Sequence, residues 1–115
     1  MTDSIRALAR ETFVEPRDLI QPIFVIDGQK KRVPIDAMPG IERLSVDQLS
    51  SEVDLIREAG VPATLLFGVP DADEKDVQAS GAWKENNLVQ RAVSAIKKHD
   101  PEMVVITDVC LCAYT

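Results

Sequence analysis

The chain has 115 residues, 45% hydrophobic and 28% charged, a balance that fits one packed soluble domain at most and excludes a disordered tail. A formal net charge of −6 argues against nucleic acid as a partner, and no basic run suggests a membrane surface. No apolar stretch approaches a membrane span or a signal peptide, and two closely spaced cysteines are too few for a secreted disulfide framework, so a reduced, cytoplasmic setting is expected.

Residues 1–14 read as a short helix, with Ile5, Leu8, Ala9 and Thr12 at helical spacing and Asp3 or Ser4 as cap. Its apolar stripe is narrow, so it needs a surface to dock on, in this chain or in a neighbouring subunit. Residues 19–26 form the first predicted strand, with Pro22 tolerable near a strand start or at a sheet edge. Asp27-Gly28 marks a turn, and the stretch to Ile41 reads as a loop or small hairpin whose Lys30, Lys31 and Arg32 form a solvated tip.

Residues 46–59 carry an amphipathic helix pattern: Val46, Leu49, Val53 and Ile56 make one stripe. Ser45 and Gln48 have the spacing of a capping box, and Leu44 is placed to staple against Leu49. Gly60 and Pro62 end the helix, and an almost wholly apolar strand follows at 63–69. Residues 70–86 form a long acidic and polar loop in which Trp83 is expected to cover the sheet end or a subunit contact. A second helix spans 87–99, capped by Asn87 with Gln90 at cap spacing and striped by Val89, Val93 and Ile96. Lys97, Lys98 and His99 suit its negative end, which makes His99 a surface charge and not a ligand.

The last thirteen residues, MVVITDVCLCAYT, begin as a third strand. The run Val104, Val105, Ile106 is of the kind a parallel sheet covers on both faces. If the strand persists through Cys112, then Asp108, Cys110 and Cys112 share one face. Two thiols suit a soft metal such as zinc, although a complete site needs three or four protein ligands; equally, free cysteines pack well in cores. A disulfide between same-face neighbours sits near the outer limit of bridging geometry. Asp108 is either a site acid or the cap of a following helix, because an unpaired carboxylate at the end of an apolar strand is costly to bury.

The predicted order is helix, then strand, helix, strand, helix, strand. The helix-to-strand connections are tight and the strand-to-helix connections long. Long loops therefore gather at the C-terminal strand ends, where such folds place their sites. Asp108, Cys110 and Cys112 leave the third strand toward that face. No glycine-rich loop follows any strand, which disfavours a nucleotide-binding sheet.

Four segments, DLIQPIFV (18–25), MPGIERLS (38–45), NLVQRAVSAIK (87–97) and ITDVCLCAYT (106–115), together give the chain a specific likeness. It resembles the first third of porphobilinogen synthase, also called 5-aminolevulinate dehydratase. The resemblance implies an α/β fold: residues 1–115 as the N-terminal part of a single (β/α)8 TIM barrel, with 1–14 as an arm and 15–115 carrying three parallel strands and their helices. It further implies an enzyme that condenses two molecules of 5-aminolevulinate to porphobilinogen, held as Schiff bases on lysines of the second half of the barrel. None of the lysines here suits that role, so this chain alone is expected to be inactive. Cys110 and Cys112 match two of the three cysteines that hold the family's catalytic Zn2+, and Asp108 matches an active-site acid. The arm embraces a partner subunit in the family's homo-octamer. Ala113 stands where the family usually has proline. The other function class these residues fit is a non-catalytic α/β module that binds a metal or a partner through its C-x-C end.

Overall fold

A computed structural model describes residues 1–115. Its five strands are β1 (Ile20–Ile26), β2 (Arg32–Pro34), β3 (Glu42–Ser45), β4 (Ala63–Gly68) and β5 (Val104–Thr107), in the sheet order β2-β3-β1-β4-β5. The three expected strands are β1, β4 and β5, neighbours and parallel. The expected hairpin is β2 against β3, and it adds to the sheet, because β3 also pairs parallel with β1 from Phe24↔Arg43 to Ile26↔Ser45. A four-residue strand reading ERLS has no apolar run to announce it. Since β3 starts opposite Phe24, β1 is paired on one side only at Pro22, which is how a proline is accommodated in a central strand.

The helices are α1 (Asp3–Ala9), α2 (Leu49–Glu58), α3 (Ser80–Trp83) and α4 (Leu88–His99). α2 and α4 cover one face of the sheet, where Leu49, Val53 and Ile56 meet Ile23, Val25 and Leu66. Leu44 joins the same core beneath Leu49. Gly60 closes α2 at φ +83°, a conformation that favours glycine.

Three local expectations are corrected. Ser45 does not form a capping box, for its hydroxyl accepts from Lys31 N (2.9 Å) and donates to Asp47 Oδ1 (2.7 Å) while residues 46–48 make a 3-10 turn. Arg32 is no free tip: its guanidinium reaches Gln48 Oε1 at 3.0 Å and Ser51 Oγ at 2.9 Å, bracing the hairpin on α2. In α4 the buried stripe is Leu88, Ala92 and Ile96, with Val89 and Val93 only half-buried. The stripe turns because α4 must pack on the sheet and on α2 together. Asn87 caps α4 as expected, accepting from Gln90 N at 3.0 Å.

α1 buries no residue, and its cap is Thr2, not Asp3 or Ser4. The Cα radius of gyration is 17.3 Å, against about 13 Å for a compact domain of this length. The excess reflects a segment that stands off from the core.

The other face of the sheet is open. Side chains alternate along a strand, so Pro22, Phe24, Leu65, Phe67, Val104 and Ile106 point away from the helices, in register across β1, β4 and β5. The rings of Phe24 and Phe67 stack at 5.4 Å. The expectation that β5 is covered on both faces fails: Val104 is 51% and Ile106 36% exposed. β5 is the last strand of the sheet, and nothing in residues 1–115 forms a layer over that face.

Candidate metal centre

β5 ends at Thr107, and one further backbone rung, Asp108 N to Leu66 O at 3.4 Å, carries the chain to the sheet end. The strand does not persist through Cys112, so the acid and the thiols are not arrayed on one strand face. β4 stops at Gly68, two residues past its last pair with β5, Leu66↔Thr107, so it has no strand to offer opposite the cysteines. Instead residues Cys112–Tyr114 form a 3-10 turn in which Tyr114 N donates to Leu111 O at 3.0 Å.

The two cysteines stay in contact all the same, through the backbone of the second. Cys112 N donates to Cys110 Sγ at 3.4 Å, and both cysteines are unbridged and exposed, which removes the core-packing alternative. The Cys112 thiol is pushed above its ordinary range by its hydrogen bond to Cys110 and by that group's charge, with burial and Asp108 adding to the effect. Proximity to a second thiol and a carboxylate opposes a bare thiolate, and a soft cation reverses that penalty. No third His, Cys, Asp or Glu completes a metal-holding group. The donor set therefore fits part of a zinc site: two soft ligands, presented outward.

Asp108 and Cys110 line a cleft of about 460 Å³ between α4 and the segment after β5, with Val89, Val93, Leu111 and Tyr114. A more polar cleft of about 260 Å³ lies alongside, where Arg91 pairs with Asp27 at 2.7 Å. Asp27 follows β1, the Pro70–Asn86 loop follows β4, and the thiols follow β5, so all three contribute to the C-terminal rim. Trp83 does not cover the sheet end; it is 68% exposed. Tyr114 takes that place, buried between β4 and α3, and sequence reasoning missed it. Burial pushes its phenol up, with Asp108 and Asp27 adding to the shift. His99 lies away from the thiols and contacts Asp54 at 2.8 Å, as a surface group would. All the lysines are exposed, and none lines the cleft beside Asp108.

Parallel strands joined through helices, tight connections at one end, and an acid and two thiols at the other have the arrangement of one sector of a (β/α)8 barrel. The family model described as Delta-aminolevulinic acid dehydratase matches residues 1–115. The chain belongs to that family. It is 46% identical over 114 residues to the delta-aminolevulinic acid dehydratase of Halalkalibacterium halodurans and 43% identical over 114 residues to that of a Synechocystis strain, covering 99% of this chain in both cases. Among solved structures it matches the Toxoplasma gondii delta-aminolevulinic acid dehydratase (porphobilinogen synthase), crystallised with the reaction product porphobilinogen, at TM-score 0.91 and 37% identity. That match covers 99% of this chain and 32% of the solved one. The chain spans about a third of the length of the curated relatives it matches, 34% in both bacterial cases. The sheet corresponds to the N-terminal part of the barrel.

Proposed function

We propose that these residues are the metal-bearing N-terminal third of a porphobilinogen synthase, which condenses two molecules of 5-aminolevulinate to porphobilinogen with loss of water. The observation that carries this reading is the exposed pair Cys110 and Cys112, held beside Asp108 on the loop-rich rim of a family-matched barrel sector. Cys110 and Cys112 supply two thiolate ligands to zinc, and a further ligand comes from elsewhere in the complete enzyme. When bound, the metal supplies Lewis-acid polarisation of a carbonyl or of water. Asp108, exposed at the cleft, orients the substrate amine or relays a proton. The covalent step belongs to lysines outside this chain. The projecting α1, with Ile5 and Leu8 exposed, supports a homo-oligomer, of which the octamer is the family form. No helix is long and apolar enough to cross a membrane, which accords with a cytoplasmic enzyme.

A chimera tests the reading: these 115 residues replace the matching segment of the Halalkalibacterium halodurans relative. The chimera is expected to form porphobilinogen, Asp108→Asn to lower its kcat by about 100-fold or more, and Cys110→Ser with Cys112→Ser to lose its zinc. The isolated chain is expected to form no product. Turnover by the isolated chain, or full activity in Asp108→Asn, contradicts the assignment. Tight one-to-one zinc binding by the isolated chain, with an inactive chimera, indicates a non-catalytic metal module instead.

A further inference from the structure

We propose that Tyr114 is a positioning residue for the thiol pair: its ring, wedged between two glycines, sets the aim of Cys110 and Cys112. The proposal rests on the metal reading above and adds the element that holds the site in place. Cys110, Leu111 and Cys112 are all exposed, and only two residues further on Tyr114 is 8% exposed. The anchor of this segment is therefore one side chain.

The space for it is made by glycines on two different elements. A methyl group placed on Gly68, at the end of β4, would lie 2.6 Å from Tyr114 Oη and 2.8 Å from Val89 Cγ2. One placed on Gly81, in α3, would lie 3.1 Å from Tyr114 Cδ1. Neither glycine is among those with positive φ, so conformation does not demand glycine at these positions. What demands it is the room taken by the Tyr114 side chain, by its ring at Gly81 and by its hydroxyl, together with Val89, at Gly68.

Hydrogen bonds extend the grip in both directions. Asp76 N donates to Tyr114 O at 3.1 Å, and the Asp76 carboxylate accepts from Ser80 N at 2.9 Å and from the Ser80 hydroxyl, tying the turn to the start of α3. On the other side, Tyr114 N closes on Leu111 O, Thr115 Oγ1 donates to Cys112 O at 3.4 Å, and Cys112 N reaches Cys110 Sγ. The loop after β4 thus holds the thiol segment at Tyr114, through its side chain and through one backbone bond. Outer partners of this kind change metal affinity without touching the metal.

Two measurements on the 115-residue chain test this. In amide hydrogen exchange, Tyr114→Ala is expected to expose the amides of Asp76 and of residue 114 together, while core amides of β1 and β4 keep their protection. In Cd2+ titration followed by thiolate charge-transfer absorbance, Tyr114→Ala and Gly68→Ala are expected to weaken binding by about 10–100-fold, and Tyr114→Phe, which retains the ring, to restore it. Unchanged exchange at Asp76 in Tyr114→Ala overturns the anchor. Altered exchange with unchanged Cd2+ affinity overturns the positioning role. A native chain whose Cd2+ binding is indifferent to Cys110→Ser and Cys112→Ser overturns the metal reading itself, and with it any role for Tyr114 in aiming ligands.

Discussion

Thr64 sits near the start of β4, fully buried, and its hydroxyl is the one buried side-chain polar atom without a hydrogen-bond partner. A buried hydroxyl left unpaired opposes folding, and an apolar group of the same shape removes that penalty. Thr64→Val is therefore expected to stabilise the chain by about 1 kcal/mol, read as a higher urea midpoint at unchanged slope. A lower midpoint would show that the hydroxyl is satisfied in solution. At this scale the candidate site was legible in part. Asp108, Cys110 and Cys112 stand out as candidates because an acid and two thiols follow a β-branched run, although core packing and helix capping explain them equally well from sequence. Tyr114 does not, because a tyrosine near a chain end looks the same whether it is a wedge or a surface group. Only its contacts with Gly68 and Gly81, distant in sequence, distinguish the two.

The junction between the β2–β3 hairpin and α2 depends on Asp47. Its carboxylate accepts from Ser45 Oγ at 2.7 Å, Gln48 Nε2 at 3.0 Å and Lys30 N at 2.9 Å, and these bonds, the Ser45 bond foremost, hold its pKa at about 2 against an ordinary 3.8. The folded state thus keeps the group ionised where the unfolded chain has begun to protonate it. The contribution is full above the unfolded value and is lost as pH falls from about 4 toward 2. Asp47→Asn is expected to lower stability near pH 6, with the difference from the native chain closing across that acid window. A difference that stays constant from pH 6 to pH 2 would rule out the ionised carboxylate as its source. The helices themselves were readable from their stripes and caps, because Leu49, Val53 and Ile56 recur at the helical period. The short β3 and the Ser45–Asp47 junction were not, since both depend on where β1 and the Lys30–Lys31 backbone arrive.

Across the whole molecule, the sheet has one face under α2 and α4 and the other open, with Phe24, Phe67, Val104 and Ile106 on the open side. A contiguous apolar face beside an unpaired β5 favours association. The isolated chain is expected to self-associate with rising concentration in sedimentation velocity, and Ile106→Lys to shift it toward monomer without lowering its urea midpoint. A native chain that remains monomeric at high concentration would show that the face is covered by some rearrangement. The sequence by itself determined the alternation of strands and helices, the rim that receives the long loops, and the family, because periodicity, caps and motif residues act locally. Tertiary structure alone decided where β5 stops, which sheet face stays bare, and that the thiol segment folds into a turn gripped by Tyr114. Those outcomes depend on how far neighbouring strands extend and on which side chains, far apart in the chain, compete for the same space.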